Sequence, residues 1–355
     1  MDCDKYIFVE NHDEGLSNNY VLLYTALQER NCKVRVHYLK MAHSSWPVIV
    51  KRSIDLIWDM STAKCVLLND SNSIFGAFTV RKETKVVQLW HACGAFKKWG
   101  HSVADKSFGD DAKDLEQYSG HTNYDLVTVS GDAVRWAYEE AFHLQERSDV
   151  VQAIGVSRTD IYFSKERQQQ AHVSMEQYSD FIAGRKILLY APTFRGDIQN
   201  AKSPKCMDLK ELSRLNRDYV CVIKQHPFVK EAYVIPDEYK DFCMEADHQL
   251  SIEDLLIVSD LCVTDYSSII FEYSLLRKPM MFLTDDLDEY YDERGFYYSY
   301  QDFVPGPIVS TTKELVQYIE QLENYDMNKI TDFAAQYMNS CDGQSTERIM
   351  KYILE

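Results

Sequence analysis

The sequence predicts an α/β protein built from two Rossmann-like halves. Short apolar runs alternate with helix-length amphipathic segments along most of the chain, the βαβα order of parallel sheets covered by helices. The pattern then restarts after a polar, glutamine-rich stretch near residues 165–182. The length of 355 residues suits two domains of ordinary size. The join is placed near residues 170–185, giving halves of residues 1–175 and 176–355.

In the first half, Tyr6–Glu10 reads as a strand and Asn19–Glu29 as a helix. Lys33–Leu39, Lys64–Leu68, Val86–Trp90, Asp125–Val129 and Val150–Ile154 read as further strands, with a helix starting near Asp132. In the second half, a helix from Lys165 to about Ile182 leads into a strand at Lys186–Tyr190. Strands at Tyr219–Lys224, Leu261–Thr264 and Met280–Leu283 follow, separated by helices near Leu209–Leu215, Ser251–Val258 and Ser267–Leu276. Helices near Thr312–Glu323, Thr331–Met338 and Ser345–Leu354 close the chain. The tyrosine-rich run Glu289–Tyr300 is too irregular for a strand and too polar for a core, so it reads as a loop over a cleft.

Hydrophobic residues make up 45% and charged residues 26%, an ordinary globular composition that excludes a disordered or collagen-like chain. The net charge of −17 argues against a protein that grips bare nucleic acid. It leaves room for a local basic pocket. The nine cysteines form no CxxC and mostly sit in apolar runs, as buried thiols of a reducing compartment do. The N-terminus has no signal-peptide pattern and no run of about 18 apolar residues occurs. A cytoplasmic protein is expected, with peripheral attachment to a membrane left open.

Four motifs lie just past the C-terminal ends of predicted strands, where parallel α/β sheets bind ligands. His91 follows the strand at Val86–Trp90, with small residues Ala92 and Gly94 and the cations Lys97 and Lys98 after it. It can act as a general base at neutral pH or simply cap a strand–helix junction. Arg195 and Gly196 end Tyr190-Ala-Pro-Thr-Phe-Arg-Gly, and the arginine fork suits phosphate unless it merely decorates a turn. Lys224 and His226 sit in Lys224-Gln-His-Pro227, where the proline holds the histidine extended. The sharpest motif is Thr264-Asp265-Tyr-Ser267-Ser268 opening a helix. A helix N-terminus with two hydroxyls favours an anion, and Glu272, about one turn on, suits a ribose diol. The plainer alternative is that Asp265 or Ser267 caps the helix and Glu272 faces water. Asp286-Leu-Asp288 matches a metal-holding Asp-x-Asp only by chance in an acidic chain, and no metal site is expected. No Walker loop, GxGxxG, GxSxG or HExxH is present. Pooled in one cleft, these groups suit a nucleoside diphosphate.

Trp90-His91 followed by Lys97-Lys98, Tyr190-Ala-Pro-Thr-Phe-Arg195, Lys224-Gln-His-Pro227 and Thr264-Asp-Tyr-Ser-Ser268 through Pro279 resemble the CDP-glycerol glycerophosphotransferases, the teichoic-acid and capsule polyol-phosphate transferases. The motifs occur in the family's order over roughly residues 85–300. Where the family commonly reads Trp-His-Gly-Thr-Pro, this chain reads Trp90-His-Ala-Cys-Gly94. The resemblance implies a GT-B-type fold, with residues 1–175 on the acceptor side and residues 176–355 binding the CDP-polyol. It implies an enzyme that transfers glycerol phosphate or ribitol phosphate from the CDP-polyol to a hydroxyl of a lipid-linked acceptor and releases CMP. It further implies no cofactor, work at the inner face of the cell membrane, and no nucleic-acid partner. Under it His91 is the catalytic base, His226 with Ser267 and Ser268 binds the pyrophosphate, and Glu272 binds the cytidine ribose. Arg195, Lys224 and Asp265 complete the donor site. The alternatives are a GT-B glycosyltransferase using a CMP-sugar or UDP-sugar, and a non-catalytic subunit of a polymer-assembly complex.

Overall fold

Two parallel sheets of six strands each organise the chain. The structure is a computed structural model that describes residues 4–11, 15–40, 44–104, 115, 119–197 and 199–355, the side chains of 291–294 excepted. The first sheet holds β1 (Lys5–Glu10), β2 (Lys33–Tyr38), β3 (Cys65–Leu68), β4 (Lys85–Gln88), β5 (Leu126–Thr128) and β6 (Val151–Gln152). The second holds β7 (Lys186–Tyr190), β8 (Tyr219–Ile223), β9 (Cys243–Glu245), β10 (Leu261–Thr264), β11 (Met280–Leu283) and β12 (Ile308–Val309). β1, β3, β10 and β11 are buried along their whole length. Strands covered on both faces read as unbroken apolar runs, which is why they were visible in the sequence.

Strand order is β2-β1-β3-β4-β5-β6 in the first sheet and β12-β11-β10-β7-β8-β9 in the second. The direction of winding reverses between β1 and β3, and again between β7 and β10. Such reversals open a crevice beyond the strand ends where ligands bind.

The main helices are α1 (Asn18–Glu29), α2 (Trp46–Met60), α3 (Arg135–Ala141), α4 (Lys165–Met175), α5 (Ile252–Val258), α6 (Ile269–Leu275), α7 (Leu287–Arg294), α8 (Thr312–Glu320), α9 (Met327–Tyr337) and α10 (Ser345–Leu354). Serine caps start several of them. Ser164 Oγ accepts from Arg167 N at 3.2 Å for α4, and Ser251 Oγ accepts from Asp254 N at 3.0 Å for α5. Each satisfies an N–H that the helix itself leaves open. The predicted helix from Lys165 to Ile182 is α4 followed by two one-turn pieces.

Packing divides the chain into two units. One comprises residues 1–161, 293–297 and 336–355; the other comprises residues 162–292 and 298–335. The expected join at 175/176 falls at the end of α4. That helix packs on α5 within the second unit, with Arg167 Nη1 2.5 Å from the buried Asp254 carboxylate. The end of the chain returns to the first unit. Ile349, Met350 and Ile353 of α10 bury their apolar stripe in a cluster with Phe8, Tyr20 and Leu23. Asp160 accepts from Ser345 N at 3.1 Å and Thr346 N at 2.7 Å, capping α10. Lys85 Nζ donates to Tyr352 O at 2.6 Å, a cation at the negative end of that helix. Gly155, at φ +91°, admits this segment: a Cβ there would lie 2.4 Å from Ser340 O.

Two sequence expectations change. The sequence expectation leaves residues 40–63 without an element, yet α2 fills most of that interval. The helical period is present in the sequence, where Trp46, Val50, Ile54 and Trp58 recur every four residues. The tyrosine-rich run is not a loop over a cleft: α7 occupies part of it, and Tyr290, Phe296 and Tyr300 are buried. The phenol tips find partners, as where Tyr300 OH donates to Asp265 O at 2.9 Å. Aromatic rings with satisfied polar tips can enter a core.

Cys65, Cys93, Cys221, Cys243, Cys262 and Cys341 are buried. Among the described residues no helix is long and apolar enough to cross a membrane.

Candidate functional site

His91 stands just beyond β4 in the first unit. β4 leaves the ladder after Gln88, two residues earlier than the apolar run suggests. Trp90 takes a left-handed backbone conformation, φ +59°, which costs a non-glycine residue about 1–2 kcal/mol. Neighbouring contacts offset that cost. The buried Gln88 amide accepts from Trp90 N at 2.9 Å and donates to Asp70 O at 3.0 Å, tying the ends of β3 and β4 together. The Trp90 indole packs edge-on to Phe142 and lies flat against the His91 ring, centroids 4.2 Å apart. The residues that follow are held from behind: Tyr138 OH donates to Gly94 O at 2.9 Å, and Arg158 Nη1 donates to His91 O at 2.7 Å.

The imidazole itself is half exposed. Its Nδ1 lies 3.2 Å from Asn69 O. A carbonyl only accepts, so Nδ1 carries the hydrogen and the lone pair belongs to Nε2. The Asp70 carboxylate stands 3.8 Å from Nδ1, where it favours the charged imidazolium that a base becomes. Asn69 and Asp70 follow β3 as His91 follows β4. The strand-end argument that found His91 would have found them, and Arg158 left no such signal.

In the second unit the three remaining motifs follow β7, β8 and β10, neighbours in the sheet. Asp265, after β10, is fully buried. Its Oδ1 accepts from Thr193 N at 2.8 Å, Thr193 Oγ1 at 2.9 Å and Tyr266 N at 2.6 Å. Its Oδ2 lies 3.0 Å from Arg195 Nη1. Burial pushes the Asp265 carboxyl above its usual range, while Arg195 and the backbone donors pull against that. Arg195 also binds Asp286 through Nε and Nη2, the latter at 3.1 Å. Its guanidinium lies 5.1 Å from the Tyr266 ring centre and 5.2 Å from that of Tyr290. Those two rings stack on each other. Burial would lower the Arg195 pKa, but the two carboxylates outweigh it and hold the charge. Asp265 and Arg195 thus form a buried brace across the β7–β10 reversal. Asp286, set aside in the sequence as a chance metal motif, is Arg195's partner. Among the described residues no cluster of three or more metal-ligating side chains occurs.

Lys224 is likewise committed. Its Nζ donates to Asp247 O at 3.0 Å and Leu250 O at 2.7 Å, and burial lowers its pKa. It anchors the loop before α5. His226 sits between Phe194 and Phe228, each ring centre 4.8 Å away. Its Nδ1 accepts from Phe228 N at 3.2 Å, so the neutral ring carries its hydrogen on Nε2. This is the tautomer opposite to that of His91.

Ser267 and Ser268 are part-exposed at the start of α6. Ser267 Oγ accepts from Ile269 N at 3.4 Å; Ser268 takes the cap position with no side-chain bond. Glu272 is buried at 5% exposure, so the solvated alternative does not hold. The structure therefore brings Arg195, His226 and Asp265 together through Phe194 and Thr193, with Ser267 and Ser268 following Asp265 directly. Lys224 stands behind them as a loop anchor.

The family description "CDP-glycerol:poly(glycerophosphate) glycerophosphotransferase" matches residues 1–355. The chain belongs to this family. It is 35% identical to the teichoic acid ribitol-phosphate primase of Bacillus spizizenii, over 99% of this chain and 90% of the primase. It is 33% identical to the teichoic acid poly(ribitol-phosphate) polymerase of the same organism, over 99% of this chain but 56% of the polymerase. It therefore spans little more than half of that longer relative. Among solved structures, the wall teichoic acid polymerase TagF superposes with a TM-score of 0.80 at 19% identity, covering 99% of this chain and 88% of that one. That likeness concerns the fold, which is GT-B-type. Family membership makes the chain a polyol-phosphate transferase and decides against the sugar-nucleotide and non-catalytic alternatives.

Proposed function

We propose that this transferase moves ribitol phosphate from CDP-ribitol to a hydroxyl of a lipid-linked teichoic-acid acceptor, at the inner face of the cell membrane, and releases CMP. The observation that carries the chemistry is the 3.2 Å contact of His91 Nδ1 with Asn69 O. With Nδ1–H on Asn69 O, Nε2 is a base and the ring is oriented by Trp90 and Asp70. Nε2 takes the proton of the acceptor hydroxyl. The oxygen attacks the ribitol-bearing phosphorus, and the bond from that phosphorus to the oxygen of the CMP phosphate breaks.

The leaving oxygens gain charge as that bond breaks. His226 presents Nε2–H and Ser267 and Ser268 present hydroxyls, all donors suited to it. Glu272 takes the ribose diol, while Arg195, Asp265 and Lys224 fix the strand ends that carry these groups. No metal ion is required in this reading. Substituting His226→Ala is expected to lower kcat/KM by about 10²-fold, as losing a donor to a developing oxyanion does. A change under about threefold would remove His226 from the reacting phosphates.

Ribitol is favoured over glycerol because two relatives at 33–35% identity are named for ribitol phosphate. Addition of a single unit is favoured because the relative at 35% identity is a ribitol-phosphate primase. The test is incubation with CDP-ribitol or CDP-glycerol and a primer lipid, in EDTA, reading CMP release and product mass. CDP-ribitol is expected to react, adding one unit. Turnover on CDP-glycerol alone, or dependence on an added metal, would reverse the corresponding part.

A further inference from the structure

Trp90 is the strained point of the first unit's site, with φ +59° one residue before His91. A bulky residue rarely adopts that conformation, and such strain persists where the surroundings over-determine it. The contacts that do so converge on Gln88, two residues upstream and fully buried. Chemistry fixes the orientation of its amide. Trp90 N–H only donates, so the atom 2.9 Å from it is Gln88 Oε1. The two hydrogens on Nε2 then meet Asp70 O at 3.0 Å and Tyr124 OH at 2.9 Å. Turned over, the amide would set its NH2 against Trp90 N–H and its oxygen against a carbonyl.

Tyr124 is held in turn. Its hydroxyl lies 3.0 Å from His121 Nδ1 and 3.3 Å from Gly120 O. Burial drives the His121 pKa down to about 3 and pushes that of Tyr124 up, so both rings stay neutral near pH 7. The His121 ring stacks on Phe142, centroids 4.2 Å apart, and Phe142 meets the Trp90 indole edge-on. One buried cluster therefore grips Trp90 twice. Gln88 takes its backbone N–H, and Phe142 takes its indole.

We propose that Gln88 is a positioning residue: its amide holds Trp90 in the left-handed conformation that sets His91 Nδ1 against Asn69 O and leaves Nε2 open to the acceptor hydroxyl. The inference rests on the role proposed above for His91. Gln88 is enclosed and acts through Trp90. Without Oε1, Trp90 N becomes a buried donor with no partner, a costly state that turning the Trp90–His91 peptide relieves. The turn carries the imidazole away from Asn69 O. The bond from Nε2 to Asp70 O has a second effect, because it fixes the backbone that sets the Asp70 carboxylate 3.8 Å from His91 Nδ1.

Gln88→Met, close in size and without an amide, is expected to lower kcat about 10²-fold, the usual effect of a small misplacement, with CDP-polyol affinity within about twofold of wild type. A kcat within about threefold of wild type, whatever the fall in urea midpoint, would make Gln88 a stabilising residue only and overturn the proposal. Gln88→Glu gives a pH readout. The neutral acid accepts from Trp90 N and donates one hydrogen, whereas the carboxylate only accepts and opposes Asp70 O. Burial raises a carboxyl pKa towards neutrality, so activity relative to wild type is expected to rise as the pH falls from about 8 to about 6. The groups around position 88 that titrate or carry charge are Asp70, His91, His121 and Tyr124, with Arg147 donating to Tyr124 O at 2.9 Å. All are present in the wild type, so the ratio isolates the introduced group, and a flat ratio would overturn the proposal even if the methionine variant fails to fold. Spectra of ¹⁵N-histidine-labelled protein, assigned with His91→Ala, read the ring without turnover. The wild type is expected to show His91 protonated on Nδ1 and Gln88→Glu at about pH 8 to show an averaged ring. An unchanged ring would overturn the proposal. Absence of CMP release by the wild type would strike the functional reading and leave these spectra to decide the role of Gln88.

Discussion

His91→Ala is expected to lower turnover by about 10²–10⁴-fold, the usual worth of a positioned general base, while CDP-polyol binding stays within about twofold of wild type. The imidazole is held on one side by Asn69 O and stacked on Trp90, so the substitution removes the Nε2 lone pair and little else. Half of the side chain is exposed, so its loss leaves no cavity to collapse. Single-turnover CMP release and equilibrium titration of the donor separate the two effects. Near-normal release by the variant would dismiss His91 as the base. An equal fall in donor affinity would make it a binding group.

Asp265→Ala is expected to destabilise the second unit by about 3–5 kcal/mol, the cost of breaking a buried ion pair from one side. The removed carboxylate answers Thr193 N, Thr193 Oγ1, Tyr266 N and Arg195 Nη1 at once. Its loss leaves buried donors unmade and leaves the Arg195 guanidinium with Asp286 as its carboxylate partner, beside Thr193 O and Oγ1. The shift in urea midpoint measures this. Arg195→Met is expected to cost a similar amount, and the double variant Asp265→Leu with Arg195→Met less than the sum, because the two share one interaction. A single-variant loss below about 1 kcal/mol would show that the brace is incidental. This is a different outcome from the one expected had Asp265 and Arg195 faced the ligand: stability would then stay and only donor binding would fall.

The strands were legible because parallel sheets need continuous apolar runs, and Tyr6–Glu10 or Leu261–Thr264 contain little else. The candidate site was legible for the same reason, since function collects where those runs end. What could not be read was which polar group answers which. Arg195 and Lys224 look alike in sequence as cations after a strand. One closes on two carboxylates and the other on two backbone carbonyls, and these partners lie up to 91 residues away. The opposite tautomers of His91 and His226 depend on Asn69 O and Phe228 N, of which only the second is local. α2 departs from the usual surface helix because it turns Trp46, Val50, Ile54 and Trp58 to solvent beside its polar residues Lys51 and Asp55. β5 and β6 are as short as β9 and β12 but lie in the apolar runs Leu126–Val129 and Val150–Ile154, which Cys243–Glu245 and Ile308–Val309 lack.

The return of residues 336–355 to the first unit has a bearing on synthesis. A ribosome delivers the strands of the first sheet early, but the helix that covers Phe8 and Tyr20 leaves the exit tunnel only after the whole second unit has been made. Until then those rings have no Ile349, Met350 or Ile353 against them. Lys85 lacks the helix end it neutralises. Residues 162–292 and 298–335 are complete sooner, although they are translated later. Order of completion and order of translation therefore run opposite in this chain, and a transcript cut short anywhere before residue 336 yields a first unit with an open flank.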